Sequence, residues 1–218
     1  MIALTSDLLN QFAWLDHGFG TRQGPTTQQG MVGLKQIHSN LVLAADSGPS
    51  ADAGVQVLGE ADALITDCPS VTVSIRTADC LPILLVDPQR HAVAAIHAGW
   101  RGTVTEIAAH TVERMRQRYG THPADLYAAI GPGIGKCCYE VSEDVASQFG
   151  EAVDGAGKAR LDLADENLRR LIHAGVRRDQ VDILTQCTFC NAERFYSYRR
   201  EGERAGRMIS FITARTEA

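Results

Sequence analysis

The stretch that decides the fold is LPILLVDPQRHAVAAIH, residues 81–97. It contains two apolar runs, LPILLVD (81–87) and HAVAAIH (91–97), joined by Pro88-Gln89-Arg90. Apolar runs without regular polar alternation are typical of buried strands. Asp87 and Pro88 are typical of a tight turn. The sequence therefore predicts a buried antiparallel hairpin, with its open end at residues 80 and 97.

The segments around this hairpin predict further strands and three helices. A helix is predicted from Thr103 to Gly120, with Thr103 to Glu106 as a capping box. A second helix is predicted over 164–174, with Leu168, Leu171 and Ile172 facing inward, and a shorter one over 142–149. Further strands are predicted at 41–45, 61–66, 71–75, 180–184 and 207–213. The order lacks strict strand–helix alternation, so we expect one α/β domain of mixed sheets over residues 1–218 rather than a Rossmann fold.

Composition narrows the class of protein. The chain has 218 residues, 44% hydrophobic and 22% charged, and a formal net charge of −5. No basic block indicates nucleic-acid binding, and the arginines near the C-terminus alternate with glutamates, which predicts a solvated charged face. The N-terminus lacks the features of a signal peptide, and no apolar run approaches the ~20 residues that span a bilayer. We expect a cytoplasmic protein without membrane contact, whose cysteines are thiols or metal ligands rather than disulfides.

His97 ends the second strand of the hairpin and is followed by a glycine-rich turn. Gly102 permits a sharp turn, and the backbone amides at the start of the predicted helix, at Gly102 and Thr103, would attract an anion. Arg101 stands beside them, so phosphate is the expected ligand. The alternative is an ordinary helix-leading turn in which Trp100 packs in the core and Arg101 is solvated.

Three residues offer ligands of the kind that zinc prefers. The hairpin would bring Cys80 close to His97 at its open end, and His38 lies in the segment LKQIHS (34–39). Two imidazoles and a thiolate would leave a fourth position for water or substrate. The alternatives are a buried, inert cysteine and a structural histidine. Asp79, next to Cys80, either acts in proton transfer or ligand orientation, or is a hydrogen-bonded turn residue.

Two further motifs are weaker. Cys187 and Cys190 form a CxxC motif, and Cys137-Cys138 is the other cysteine pair in this half of the chain. Adjacent cysteines are poor geometry for one tetrahedral site, so we do not expect a second zinc there. A redox dithiol is equally disfavoured because CxxC should open a helix after a strand. The segment GPGIG (131–135) lacks the Lys-Ser/Thr ending of a phosphate-binding P-loop.

Nine segments in order resemble one known family. They are HGFGTR (17–22), LKQIHS (34–39), ADALIT (61–66), TADCLPILLVD (77–87), AAIHAGWRGT (94–103), AIGPGIGKCCYEV (129–141), CTFC (187–190), FYSYRR (195–200) and GRMISFI (206–212). The resemblance is to the laccase-domain family, whose members are also called multicopper polyphenol oxidases, purine nucleoside phosphorylases and peptidoglycan editing factors. It implies layered mixed sheets similar to the catalytic domain of cytotoxic necrotizing factors, and one zinc bound by His38, Cys80 and His97.

The resemblance also implies the chemistry. The leading hypothesis is a zinc enzyme for phosphorolysis of purine nucleosides, including methylthioadenosine, and for adenosine deamination. Arg101, Gly102, Thr103 and Arg22 would hold phosphate. Residues 23–33 are much shorter than the equivalent family segment, which puts substrate contacts there in doubt.

Three alternatives remain open. The first is an amide hydrolase that removes L-serine from a peptidoglycan precursor, using zinc hydroxide, or Cys80 as nucleophile with His97 as base. The second is a copper-dependent polyphenol oxidase, disfavoured because the seven histidines are scattered. The third is a binding module whose zinc site is closed by a fourth protein ligand.

Overall fold

The computed structural model describes residues 3–216, which fold into two six-stranded sheets, a two-stranded sheet and five α-helices. The strands are β1 Ala3–Leu4, β2 Leu15–Gly20, β3 Val32–Lys35, β4 Val42–Ala44, β5 Gln56–Glu60, β6 Ala63–Thr66, β7 Val73–Thr77, β8 Leu81–Asp87, β9 Ala92–Ala98, β10 Tyr127–Ile130, β11 Glu140–Ser142, β12 Lys158–Arg160, β13 Val181–Ile183 and β14 Met208–Ala214. The helices are α1 Trp100–Val104, α2 Ile107–Tyr119, α3 Glu143–Ala146, α4 Leu163–His173 and α5 Tyr198–Glu201. The predicted domain limits, residues 1 and 218, lie outside the described part.

Both large sheets mix parallel and antiparallel pairs, as predicted. The first has the strand order β1-β2-β14-β7-β3-β5, and the second has the order β13-β10-β8-β9-β6-β4. In the second sheet β8 pairs with β9 and β10 antiparallel, whereas β10–β13 and β4–β6 are parallel. The fold is therefore a single α/β domain with mixed sheets, and the expected fold class is confirmed.

The predicted hairpin forms the centre of the second sheet. Leu81 pairs with Ala98, Pro82 with His97 and Asp87 with Ala92. At the turn, one carboxylate oxygen of Asp87 accepts hydrogen bonds from the backbone amides of Gln89 and Arg90, at 2.9 and 3.1 Å. This local closure fixes the register of the hairpin, and the register brings residues 80 and 97 to its open end.

The second sheet is the middle of three layers. Leu84 and Val86 of β8 pack with residues of the first sheet, while Ile83 and Leu85 pack with α2 and α4. Every residue of β8 and β9 is buried. Two covered faces explain why these strands carry apolar side chains at successive positions instead of alternating with polar ones.

The predicted helix at Thr103 begins differently from our expectation. Thr103 lies inside the short α1, and its hydroxyl donates to the carbonyl of Gly99 at 2.9 Å. The chain then breaks at Glu106, which has a left-handed φ of 62° and makes no side-chain cap. The capping box is therefore wrong, because the left-handed residue separates α1 from α2. The predicted end at Gly120 is confirmed, with φ 70°.

The other two predicted helices are present, with one correction. The segment 142–149 folds as α3 followed by a 3₁₀ turn over Ser147–Phe149. In α4, Leu168 and Leu171 are buried as expected, but Ile172 is 41% exposed. Ile172 directly follows Leu171, and successive residues of an α-helix point about 100° apart, so its side chain leaves the buried face. Within residues 3–216, we find no helix with the length and apolar character to span a bilayer.

Candidate metal centre and active site

Three predicted ligands meet at the open end of the hairpin. Cys80 immediately precedes β8, His97 lies in β9, and His38 comes from the turn after β3 of the other sheet. One potential ligand atom from each residue lies within 4.8 Å of the others. The two imidazole rings stand edge to face, with centroids 4.9 Å apart. We call His38, Cys80 and His97 the metal centre.

Asp62, just before β6, organises both histidines, and the sequence analysis missed it. Its Oδ1 lies 2.8 Å from Nδ1 of His97 and accepts the backbone amide of His38 at 3.0 Å. Its Oδ2 accepts the backbone amide of Ser39 at 2.6 Å and the Ser39 hydroxyl at 2.8 Å. These bonds hold the turn in which His38 has a left-handed φ of 61°. With Nδ1 of His97 directed at Asp62, Nε2 is left for a metal, which is the usual carboxylate–histidine–metal arrangement.

The charges at the metal centre depend on each other. Burial alone would raise the pKa of Cys80, but the imidazoles of His97 and His38 outweigh it and lower that pKa to about 6. Burial alone would lower the pKa of His97, but the Cys80 thiolate and the Asp62 carboxylate raise it to about 9. Burial would raise the pKa of Asp62, yet hydrogen bonds from His97 and Ser39 lower it to about 2. Cys80 is therefore poised as a thiolate, the form that binds metals.

The residues present fit a metal ion. Two imidazoles and a thiolate are a donor set found in open, catalytic zinc sites, and Asp62 supplies the outer hydrogen bond that such sites use. Gly99 lies against the centre, and a Cβ there would come within 2.9 Å of the Cys80 Sγ and 3.3 Å of the His38 ring. Glycine at this position leaves room for the three donors to converge.

The metal centre lies at the floor of a cavity of about 840 Å³. Two tyrosines, Tyr139 and Tyr198, contribute aromatic surface to its lining. Burial, together with the Cys80 thiolate, raises the pKa of Tyr139 to about 12. The Tyr139 hydroxyl therefore keeps its proton at neutral pH and can donate a hydrogen bond to a ligand.

Four arginines surround this cavity: Arg76, Arg101, Arg199 and Arg207, which we call the arginine wall. Among the described residues, none of these guanidinium groups forms an ion pair with a carboxylate. Arg199 donates to the backbone carbonyl of Glu140, and Arg207 donates to those of Ala205 and Gly206. A cluster of guanidinium groups without carboxylate ion pairs is suited to bind an anion such as phosphate. Sequence reasoning identified Arg101 but not the other three.

The interpretation of the C-terminal arginines as a solvated face therefore needs correction. Arg199 and Arg207 line the cavity. Glu201, which alternates with them in sequence, is occupied by ion pairs with Arg22 and Arg200. The alternation of charge in the sequence suggests that neighbouring charges neutralise each other. In the structure Glu201 instead pairs with two arginines that do not line the cavity.

Asp79 lines the cavity, but its carboxylate is already engaged. Oδ1 accepts the Thr188 hydroxyl at 2.6 Å, and Oδ2 accepts the Ser197 hydroxyl at 3.0 Å and the Arg199 amide at 2.7 Å. Its backbone has a left-handed φ of 84°. The geometry favours the role of a hydrogen-bonded turn residue that positions Cys80 over a role in proton transfer.

The structure does not bring the other predicted phosphate ligands to the cavity. Arg22 pairs with Glu201 and packs on the Tyr196 ring, 4.3 Å from its centroid. Gly102 and Thr103 are buried inside α1, and the Thr103 hydroxyl also accepts from the Asn167 amide at 2.9 Å. The helix begins earlier than predicted, at Trp100, and the Thr103 amide donates to the Gly99 carbonyl at 2.8 Å, so Gly102 and Thr103 do not stand at the helix start.

The glycines of the segment 131–135 serve packing rather than phosphate binding. A Cβ at Gly131 would lie 2.2 Å from the Phe19 ring. A Cβ at Gly133 would lie 2.5 Å from the Leu81 side chain and 2.9 Å from the carbonyl oxygen of Asp79. These contacts press the segment against the base of the hairpin.

The second group of cysteines also differs from our expectation. Cys137, Cys138, Cys187 and Cys190 lie together, with all four sulfur atoms within 4.8 Å of one another. We call them the cysteine cluster. The adjacency of Cys137 and Cys138 predicts poor geometry for a shared site, but the tight turn at Gly135 brings both side chains to the same place.

Comparisons with known proteins identify relatives of this chain. A purine nucleoside phosphorylase of Deinococcus radiodurans is 38% identical over 90% of this chain and 88% of its own length. An adenosine deaminase named RL5, from an unknown prokaryotic organism, is 37% identical over 84% of this chain and 74% of its own. The crystal structure of the hypothetical protein YfiH from Bacillus licheniformis superposes with a TM-score of 0.84 and 29% identity, covering 94% of both chains.

The sequence profile of one family matches residues 19–215, which include the metal centre, the arginine wall and the cysteine cluster. Relatives named for activities on purine nucleosides match 90% and 84% of this chain. The chain belongs to the family described as multi-copper polyphenol oxidoreductase laccase.

Proposed function

We propose that this protein is a zinc-dependent purine nucleoside phosphorylase that also acts on methylthioadenosine and deaminates adenosine. The observation that carries the proposal is a set of three metal donors at the floor of a cavity whose wall holds four arginines that form no carboxylate ion pair among the described residues. The metal centre of such a site suits a metal-activated nucleophile, and the arginine wall suits inorganic phosphate. The names of the phosphorylase and deaminase relatives support the substrate class.

In phosphorolysis, a phosphate oxygen forms a bond to C1′ of the ribose while the bond from C1′ to the purine nitrogen breaks. The arginine wall would hold the phosphate and neutralise its charge. The purine base leaves with the bonding electrons and takes up a proton. The Tyr139 hydroxyl, which stays protonated, can donate a hydrogen bond to the base or the sugar. The exposed ring of Tyr198 offers a surface on which the base can stack.

His38, Cys80 and His97 would hold the zinc ion, with Asp62 fixing the orientation of His97. When bound in such an open site, zinc lowers the pKa of its water to about 7 and so supplies hydroxide for deamination. The same three residues could hold copper, but the proposed reactions need an activated water molecule and no change of oxidation state, which is the chemistry that zinc supplies. Zinc is therefore our assignment.

The test is a steady-state assay of metal-defined protein. With zinc bound, inosine plus phosphate should release hypoxanthine, methylthioadenosine plus phosphate should release adenine, and adenosine alone should yield inosine. His97→Ala should abolish all three reactions. Absence of each product from the zinc-loaded protein, or full activity of His97→Ala, would contradict the proposal.

The arginine wall predicts a difference between the two reactions. In Arg101→Ala the KM for phosphate should rise, because a charge-assisted contact is lost, while the KM for adenosine in deamination stays close to the wild-type value. Arg204→Ala is the matched control, since Arg204 is exposed and lies outside the cavity lining. An equal effect of both substitutions on phosphate would rule out the assigned role of Arg101.

A second candidate is the amide hydrolase acting on a peptidoglycan precursor. It is favoured by one observation: the His97 ring lies between the Cys80 sulfur and the Asp62 carboxylate and interacts with both. Thiol hydrolases use such a thiolate, imidazole and carboxylate together. On this route the Cys80 sulfur attacks the amide carbonyl, and His97 protonates the leaving amine. Activity on the precursor that survives a chelator, with an acyl group trapped on Cys80, would favour this candidate over the zinc enzyme.

A further inference from the structure

The cysteine cluster lies outside the cavity and joins two separate segments of the chain. Cys137 and Cys138 stand between β10 and β11, and Cys187 and Cys190 follow β13. The sulfur of Cys190 is 3.7 Å from that of Cys137 and 3.3 Å from that of Cys138. A zinc–sulfur bond of ~2.3 Å in a regular tetrahedron places neighbouring sulfurs ~3.8 Å apart. The observed spacing is close to that of a tetrathiolate site.

The backbone around the cluster is arranged to hold the sulfurs together. The amide of Gly135 donates to the Cys187 sulfur at 3.3 Å. Gly133 forms a β-bridge with Cys187, and the Thr188 amide donates to the Gly133 carbonyl at 2.9 Å. A Cβ at Gly135 would approach the Cys187 Cβ to 3.3 Å and the Cys137 sulfur to 3.4 Å, so glycine permits the close approach.

We propose that Cys137, Cys138, Cys187 and Cys190 bind a second metal ion, of the zinc class, in a closed structural site. Four thiolates complete a tetrahedral shell and leave no position for substrate, which distinguishes this site from the metal centre at the cavity floor. Soft thiolate ligands select zinc over magnesium or calcium. The proposal does not depend on which reaction the metal centre performs.

A metal at the cluster would also stiffen the active-site cavity. Thr188 lies between the two cysteines of the CxxC motif, and its hydroxyl holds the Asp79 carboxylate at 2.6 Å. From the other segment, the Ile134 amide donates to the Asp79 carbonyl at 2.8 Å. Both segments that meet at the cluster therefore contact the residue that precedes Cys80. The second ion would act as a positioning group for the metal centre.

Metal content of single-site variants tests this proposal. After zinc loading and removal of free metal, wild-type protein should hold two zinc ions per chain. Cys80→Ala, which removes a donor at the metal centre, should keep one tightly bound ion. Cys187→Ser/Cys190→Ser should lose the second ion, while Cys68→Ser, a substitution outside both groups of ligands, should keep both.

Spectroscopy on a protein with an intact cluster guards against variants that fail to fold. In Cys80→Ala loaded with zinc, X-ray absorption should show four sulfur neighbours at ~2.3 Å. Cobalt in place of zinc should give the intense visible bands of a tetrahedral thiolate site. A Cys80→Ala protein without stoichiometric metal, or with nitrogen or oxygen in place of sulfur, would overturn the proposal. A Cys138–Cys190 disulfide in anaerobically purified, metal-loaded protein would overturn it as well.

Discussion

At the carboxylate of Asp62, five donor atoms converge from residues that are distant in sequence. Three backbone amides and one hydroxyl come from residues 37–39, and the fifth donor is Nδ1 of His97. The carboxylate therefore fixes the left-handed turn at His38 and the ring of His97 at the same time. Two of the three ligands of the metal centre depend on this one side chain.

Asp62→Asn should weaken zinc binding at the metal centre by about 10–100-fold, the usual effect of losing a partner outside the ligands themselves. The amide has one acceptor oxygen in place of two, and its NH₂ group would oppose the donors that face it. Competition with a chromophoric chelator measures the affinity. Asp52→Asn is the control, because Asp52 is exposed and lies outside the centre. Unchanged affinity in Asp62→Asn would contradict this role.

Cys80 should react with alkylating agents at unusually low pH in metal-free protein. Its pKa is lowered from 9.0 to about 6, and only the thiolate is nucleophilic, so the rate should reach half its maximum near pH 6 and fall below it. Peptide mass spectrometry after iodoacetamide treatment at several pH values measures this rate at Cys80 alone, with Cys68 in the same sample as an internal comparison. A midpoint near 9 at Cys80 would contradict the geometry, and zinc should suppress the reaction.

At this scale, the meeting of residues that lie in dense motifs could be predicted from the sequence. His38, Cys80 and His97 were named from their residue types, the hairpin and the family resemblance. Asp62 lies within ADALIT, but its role beside the metal centre could not be predicted, because its partner His97 is 35 residues away and no local motif indicates the pair. The anion ligands were only partly found, since Arg76, Arg199 and Arg207 come from elements that the tertiary fold alone brings beside Arg101.

At the scale of elements, the end of β10 shows how packing dictates sequence. Gly131 follows this strand and lies against the Phe19 ring of β2, so the two large sheets touch here with no room for a side chain. A glycine in such a place reflects the approach of another element and not a ligand. The same segment continues to Ile134, whose amide holds the turn before Cys80.

Gly131→Ala should lower the free energy of unfolding by about 1–3 kcal/mol, the range expected for overpacking a buried contact. The added methyl group would stand 2.2 Å from the ring of Phe19, which must shift. Urea unfolding followed by fluorescence gives the difference. Gly54→Ala is the matched control, because no atom lies within 4 Å of the Cβ position there. In a Phe19→Leu background, Gly131→Ala should lower the free energy of unfolding by less than it does in the wild-type protein. If the effects of the two substitutions on the free energy of unfolding add fully, this contact is contradicted.

Elements set by local pattern were the predictable ones. The β8–β9 hairpin followed from two apolar runs and a turn. The break at Glu106 did not, because the apolar spacing of the helix face continues through it, and only the left-handed backbone reveals the separation of α1 from α2. The cysteine cluster also escaped prediction, since it depends on the parallel approach of Gly133 and Cys187.

At the scale of the whole molecule, the metal centre lies where the two six-stranded sheets meet. His38 follows β3 of the first sheet, whereas Cys80 stands immediately before β8 and His97 lies in β9 of the second. A metal held by all three would therefore add a cross-link to the hydrogen bonds by which Asp62 already joins the turn after β3 to the second sheet. The fold class could be predicted from the mixed order of elements, but this cross-sheet link could not be derived from spacing alone.

Removal of metal should lower the melting temperature of the intact protein. A ligand at 100 times its Kd stabilises the native state by ~2.7 kcal/mol, which corresponds to about 5–10 °C for a chain of this size. Calorimetry with zinc and then with a chelator measures the change. His38→Ala, which removes an exposed ligand and little core contact, should show a smaller fall because one of the bound ions no longer contributes. An identical fall in both proteins would contradict a stabilising metal centre.

The floor and the wall of the cavity come from different parts of the chain. The floor is built by residues 38, 80 and 97, whereas two arginines of the wall, Arg199 and Arg207, and the neighbouring Tyr198 come from the end of the segment between β13 and β14. A protein engineer could randomise the side chains at these three positions and leave the metal centre, the cysteine cluster and the hydroxyl groups that hold Asp79 in place. Variants in such a library should differ in substrate preference while they share the same metal ligands. Variants that accept a different anion or a different purine base could then be selected without changing the metal centre.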